Sequence, residues 1–166
     1  MSNLPAVKGD VAKSAHEIIQ LVSFELEGEE YGIDVLAVRE IIRMPSITKM
    51  PNTPHYVDGI INLRGTVVPI ISLRKRFGLM EREQDRSSRI LVMEVGNSLT
   101  GFVVDAVAEV IRITASEIQP PPAIVQGNVS QDCITGVINH AERLLIVLDL
   151  NRLFSDEEKA VFEMLE

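Results

Sequence analysis

The chain has 166 residues, 46% of them hydrophobic, which suits one well-packed domain or two small halves sharing a core and excludes general disorder. Sixteen Lys and Arg stand against 24 Asp and Glu, and the net charge of −8 disfavours the phosphate attraction on which nucleic-acid binding depends. A single cysteine, Cys133, allows no internal disulfide, no apolar run approaches the ~20 residues of a membrane span, and no secretory pattern opens the chain, so a soluble protein of the reducing cytoplasm is expected.

Residues 1–17 show no periodicity and read as a flexible tail. From Gln20, Val22, Phe24 and Leu26 alternate with Ser23, Glu25 and Glu27, the pattern of a half-buried strand. Gly28 supplies a turn, and Tyr31, Ile33 and Val35 alternate on the return. In "NTPHYVDG" (52–59), Asn52 or Thr53 can cap, Pro54 suits the first helical position, and Gly59 ends a single predicted helical turn. A hairpin over 60–71 follows, with Gly65 providing a positive φ in its tight turn. Pro69 lacks a ladder donor, which predicts a strand with a free side at an edge, and Val67 faces the opposite way from Val68. The basic stretch 73–89 holds six cations, Arg74, Lys75, Arg76, Arg82, Arg86 and Arg89, and reads as a solvated helix face and linker. "TASE" (114–117) and "SDEE" (155–158) fit capping boxes, the second opening a terminal helix over 156–166 with Ala160, Val161, Met164 and Leu165 as its apolar stripe.

The chain also repeats itself. Residues 20–44 lie over 89–113 without a gap, matching Gly32 with Gly101, Ala37 with Ala106, Val38 with Val107, Glu40 with Glu109 and Arg43 with Arg112. Residues 59–77 lie over 136–154 at a wider offset, and the surplus falls around "QPPPAIVQGNVSQD" (119–132). Duplicated short strands joined by tight turns predict a mainly β fold of two packed antiparallel barrels, since closure removes exposed edges. The domain is placed at 18–155, with halves of about 18–83 and 84–155.

Motifs that carry chemistry are missing their essential residues. There is no phosphate loop, no dinucleotide fingerprint and no His-Glu-x-x-His. "GNSLT" (96–100) begins like a nucleophile elbow, but Thr100 replaces the last glycine and the segment joins two strands, so Ser98 is a hairpin residue. His16, His55 and His140 have no Cys or carboxylate at ligand spacing and read as solvated residues. Neither an enzyme nor a cofactor or metal protein is indicated.

Arg64 in "NLRGTVVPI" is then the residue to explain. If the fold needed an arginine at this hairpin, the second half would keep one, but it holds Ala141. Displayed at a rigid turn, an arginine fork can hold a carboxylate by two hydrogen bonds, within the chain or on a partner.

"YGIDVLAVREII" (31–42), "NTPHYVDGIINLRGTVVPIISLRKRFG" (52–78), "GFVVDAVAEVI" (101–111) and "ITGVINHAERLLIVLDLNRL" (134–153) together resemble the CheW family of chemotaxis coupling proteins over about residues 18–155. The resemblance implies two intertwined five-stranded barrels and an adaptor without catalysis. Its implied partners are the cytoplasmic tips of methyl-accepting chemoreceptors and the regulatory domain of the histidine kinase CheA, in membrane-associated arrays, with ring self-association left open. It implies receptor binding by Val38, Glu40 and Arg64, with a Glu to Arg pair stabilising the site. Gly59 and Val67 become candidates for the kinase contact. Ser72 stands where the family motif commonly has Asp, a change that keeps a helix cap.

Overall fold

Along the first strand, Ile19 and Leu21 point to one side and Val22, Phe24 and Leu26 to the other, and all five are buried. The half-buried reading is therefore corrected. Ser23 shares the Leu21 side and is buried as well, its hydroxyl donating to Glu30 at 3.0 Å. The reason lies in the architecture of the computed structural model, which describes residues 15–121 and 132–164 and places this strand between two cores.

Among the described residues ten strands form, β1 (Ile18–Leu26), β2 (Glu29–Asp34), β3 (Val38–Arg43), β4 (Val57–Leu63), β5 (Thr66–Ser72), β6 (Arg89–Val95), β7 (Ser98–Val104), β8 (Ala106–Thr114), β9 (Ile134–His140) and β10 (Arg143–Leu148). Two short helices accompany them, α1 (Leu73–Arg76) and α2 (Asp156–Met164). The first sheet runs β8-β1-β2-β10-β9 and the second β3-β6-β7-β5-β4. In each sheet an antiparallel pair from one half of the sequence is inserted among three strands from the other, meeting them through a parallel pairing on one side, β2 with β10 and β5 with β7, and an antiparallel one on the other, β1 with β8 and β6 with β3. The duplication is thus intertwined.

The repeat extends to single elements: β4 matches β9, and α1 matches the 3-10 turn Leu150–Leu153. Ser72 caps α1 by accepting from the Lys75 N–H at 3.2 Å, as Asp149 caps the second turn by accepting from Asn151 at 3.0 Å. Gly32 and Gly101 sit on the parallel pairings, where a Cβ would fall 2.7 Å from Leu145 in one half and from Ile70 and Ile90 in the other.

Three apolar cores follow. Ile19, Leu21, Ile111, Ile113, Ile138, Leu145 and Val147 pack inside the first sheet, and Ile61, Val68, Ile70, Ile90 and Val92 inside the second. Between the sheets lies a larger core containing Phe24, Leu91, Phe102, Phe154 and Phe162. The barrels are not continuous: each sheet is open, and the segment that follows one edge strand meets the opposite edge at one isolated bridge, Thr48 with Ile60 of β4 and Gln119 with Val137 of β9. Both bridges carry two backbone hydrogen bonds of 2.8 and 2.9 Å.

Other expectations need correction. Residues 52–56 form turns instead of a helical turn, with the Val57 N–H donating to Pro54 O at 3.0 Å, and Gly59 lies inside β4. β5 is not an edge strand; its pairing with β7 begins at Ile70, so the donor that Pro69 lacks falls just where that ladder stops. The cations of 73–89 are largely spent on internal partners. Arg74, only 11% exposed, binds Asp105 at 2.9 and 3.0 Å, Glu27 at 2.6 Å and the Met80 carbonyl at 2.6 Å. Lys75 pairs with Asp58 at 3.0 Å, and Arg76 donates to Leu153 O at 2.7 Å with its guanidinium over Tyr56. Both capping boxes form, and α2 begins at Asp156, but its buried residue is Phe162, while Val161 and Met164 are exposed. Leu165 lies outside the described residues, as do residues 1–14 of the tail and most of the 119–132 segment.

Candidate functional site

β4 and β5 are joined by two residues, Arg64 and Gly65, with φ of 51° and 92°. Positive φ at both positions makes a primed turn, whose twist matches that of the strands. Asn62 fastens it, its side-chain carbonyl accepting from the Gly65 N–H at 2.7 Å. In the second half Ala141 and Glu142 take the same conformation, with φ of 53° and 66°. The turn therefore tolerates several side chains and does not require arginine.

What Arg64 does is reach across the seam where the open sheet's two edges face each other. Its guanidinium makes a two-point contact with Glu40 of β3, Nη2 with Oε2 and Nη1 with Oε1, the latter at 3.4 Å. Glu40 and its hydrogen bonds push the Arg64 guanidinium further above its ordinary value. The Thr48–Ile60 bridge closes one end of this seam and the ion pair the other. Even so, the Arg64 side chain remains 70% exposed, a fork held in place yet open to a partner.

Val38 opens β3, half-buried against the central core. A bulge between Val38 and Glu40 turns Arg39 outward to Glu94 at 2.9 Å. Val67 is half-buried opposite Asn62, on the face away from Val68. Gly59 is buried, with φ of 148°, and a Cβ there would fall 2.2 Å from the Thr48 carbonyl oxygen. Gly136 mirrors it, its Cβ position lying 2.9 Å from Gln119 O. So the structure joins Glu40 to Arg64, sets Val38 on the same strand, and gives Gly59 the task of letting the seam close.

At the second seam, Glu109 faces His140 Nε2 at 3.6 Å, a contact that the reading of His140 as a solvated residue did not foresee. Ser98 begins β7 and is buried. Among the described residues no group of three or more His, Cys, Asp or Glu could hold a metal ion, and no helix is long and apolar enough to cross a membrane.

One surface residue escaped the sequence reading. Leu36, in the 3-10 turn Val35–Ala37, is 89% exposed, and the turn is capped by Asp34, which accepts from the Leu36 N–H at 2.9 Å. Beside it a cavity of about 700 Å³ is lined by Ile33, Leu36, Ala37, Met93, Leu148 and Leu150, drawn from both sheets. Period-two alternation assigns no side to a residue in a 3-10 turn; the run Val35-Leu36-Ala37-Val38, apolar throughout, was the available signal.

The family model described as a CheW-like domain matches residues 20–158. A "Chemotaxis protein CheW" of Treponema pallidum is 38% identical over 146 residues, covering 86% of this chain and 85% of that protein. The protein of the same name in Klebsiella aerogenes is 37% identical over 155 residues, covering 92% and 93%. The crystal structure of the scaffolding protein TtCheW from Thermoanaerobacter tengcongensis is similar with a TM-score of 0.77 and 37% identity, covering 86% of this chain and 96% of that one.

Proposed function

This chain belongs to the CheW-like family, and on that footing we propose that it is a non-catalytic adaptor coupling chemoreceptor cytoplasmic tips to the histidine kinase CheA. The observation that carries this reading is the Glu40–Arg64 pair: exposed, held in two-point geometry across one seam, and lacking its arginine at the equivalent seam of the other half. A side chain that the turn does not require, fixed in place and turned to solvent, suits recognition of another protein.

In this reading Val38, Glu40 and Arg64 face the receptor. Leu36, two residues before Val38 and exposed, offers apolar contact beside them, as in reversible interfaces of modest size. Val67 contributes an outward apolar residue to the kinase contact, and Gly59 contributes by fixing the strand on which that surface stands. Recruitment to membrane-associated arrays then follows from binding receptors.

The test is kinase autophosphorylation with the cognate CheA and a receptor signalling fragment, comparing wild type with Arg64→Ala and Arg64→Glu. Wild type stimulates the kinase and both variants lose receptor-dependent stimulation while melting at the wild-type temperature. A collapse of the melting temperature would make Arg64 structural. No stimulation by wild type would remove the coupling reading.

A further inference from the structure

Helix α2 is attached to the body by one apolar anchor and one polar clasp. Phe162 is fully buried, its ring 5.0 Å edge-on from that of Phe154. Glu158 accepts from the Tyr56 hydroxyl and from the Ser155 N–H at 2.9 Å, and lies 3.6 Å from Arg76. Apart from half-buried Lys159, the other residues of the helix are exposed, Met164 among them.

Beneath the helix the packing is poorer in one respect. α2 lies against β7, where Ser98 and Thr100 alternate with Phe102 along one face. The hydroxyls of Ser98 and Thr100 are buried without a hydrogen-bond partner, and so is Arg76 Nε. Buried polar groups left unpaired cost free energy that contact with solvent returns. Lifting α2 gives up Phe162's burial and the clasp but satisfies these groups, whereas opening any strand breaks a continuous ladder. A terminal element with this balance opens well below the free energy of global unfolding.

We propose that α2 is a strap that lifts from the body as a unit while the ten strands stay folded, and that its state reaches the Arg64 hairpin through Tyr56. Tyr56 immediately precedes β4, and Arg64 stands just past the far end of that strand. The clasp therefore ties the strap to the strand that carries the candidate recognition residue.

A disulfide tests this. A Cβ built on Gly96 lies 3.5 Å from Lys159 Cβ, within the range that a disulfide spans, so Gly96→Cys with Lys159→Cys can lock the strap. Cys133 is fully buried, and burial pushes its thiol up to about 11, which keeps it out of the exchange. By hydrogen exchange, α2 amides of wild type and of the reduced variant exchange at least about tenfold faster than those of β1 and β7, and oxidation slows them by about the same factor. Exchange of α2 together with β7 in wild type, or rates unaffected by oxidation, overturns the strap. Since Gly96 has a φ of 63°, Phe162→Ala serves as a second variant: it speeds exchange in α2, whose amides stay at least about tenfold ahead of those of β1 and β7, and α2 amides exchanging at the rate of β7 overturn the proposal. Transmission is read from the Arg64 Nε–H resonance in NMR, which shifts on oxidation; a resonance that stays still removes that part.

Discussion

Replacing Gly59 by alanine separates closure of the seam from contact with a partner. The new Cβ would stand 2.2 Å from Thr48 O, a backbone atom that moves only if the Thr48–Ile60 bridge opens. Losing its two hydrogen bonds costs about 1–3 kcal/mol, and holding an L-residue at a φ of 148° costs about the same again, together about 4 kcal/mol. For a domain of this size that lowers Tm by roughly 8–16 °C. Gly28→Ala is the control, because its φ of 78° brings the backbone strain while nothing lies within 4 Å of the added methyl. Urea and thermal unfolding of both variants decide the matter. A Gly59→Ala protein as stable as Gly28→Ala would refute the closure argument, and any lost kinase binding would then report a direct contact.

Three further outcomes follow from the geometry. Arg74→Met strands Asp105 almost buried without its main partner and destabilises by about 3 kcal/mol in urea unfolding. Burial alone would raise the Asp105 carboxyl, but hydrogen bonds from Arg74 and the Glu27 N–H outweigh it and hold the group below the usual carboxylate range. Its contribution is therefore present above the unfolded carboxylate value and lost as pH falls through the lowered one, so Arg74→Met flattens the acid limb of the stability profile. Burial, with the bond to Glu158, pushes the Tyr56 phenol well above its ordinary value, so unfolding releases its proton more readily and stability declines above about pH 10; in Tyr56→Phe that decline is shallower. Leu36→Asp leaves the melting temperature unchanged because the side chain is exposed, and it weakens receptor binding in pull-down or calorimetry.

Much of the architecture was legible because the duplication is written in residues whose roles recur. Gly32 and Gly101 recur for the room needed at the parallel pairings, and Gly59 and Gly136 for the approach of the seam. The contrast between Arg64 and Ala141 identified a side chain that the turn does not need, and the Glu to Arg pair that the family resemblance implied is made with Glu40. What could not be read were consequences of layering and of distance along the chain. Periodicity on β1 reports a polar and an apolar face, yet Ser23 and Glu30 satisfy each other and both faces are covered. The cations of 73–89 look like a solvated run until folding brings Glu27, Asp58 and Asp105 to them. Phe162 replaced the expected stripe on α2 because the helix docks in the central core against Phe154 and is tied through Glu158 to Tyr56, which the sequence places far away.

The exchange of strands between halves also orders events in time. The second sheet, β3-β6-β7-β5-β4, has all its members once β7 exists, whereas the first, β8-β1-β2-β10-β9, waits for β10. A ribosome therefore releases β1 and β2 earliest and completes their sheet last. Until then their apolar sides have only each other, so this chain depends on late, long-range pairing, which is slow and leaves strand edges open meanwhile.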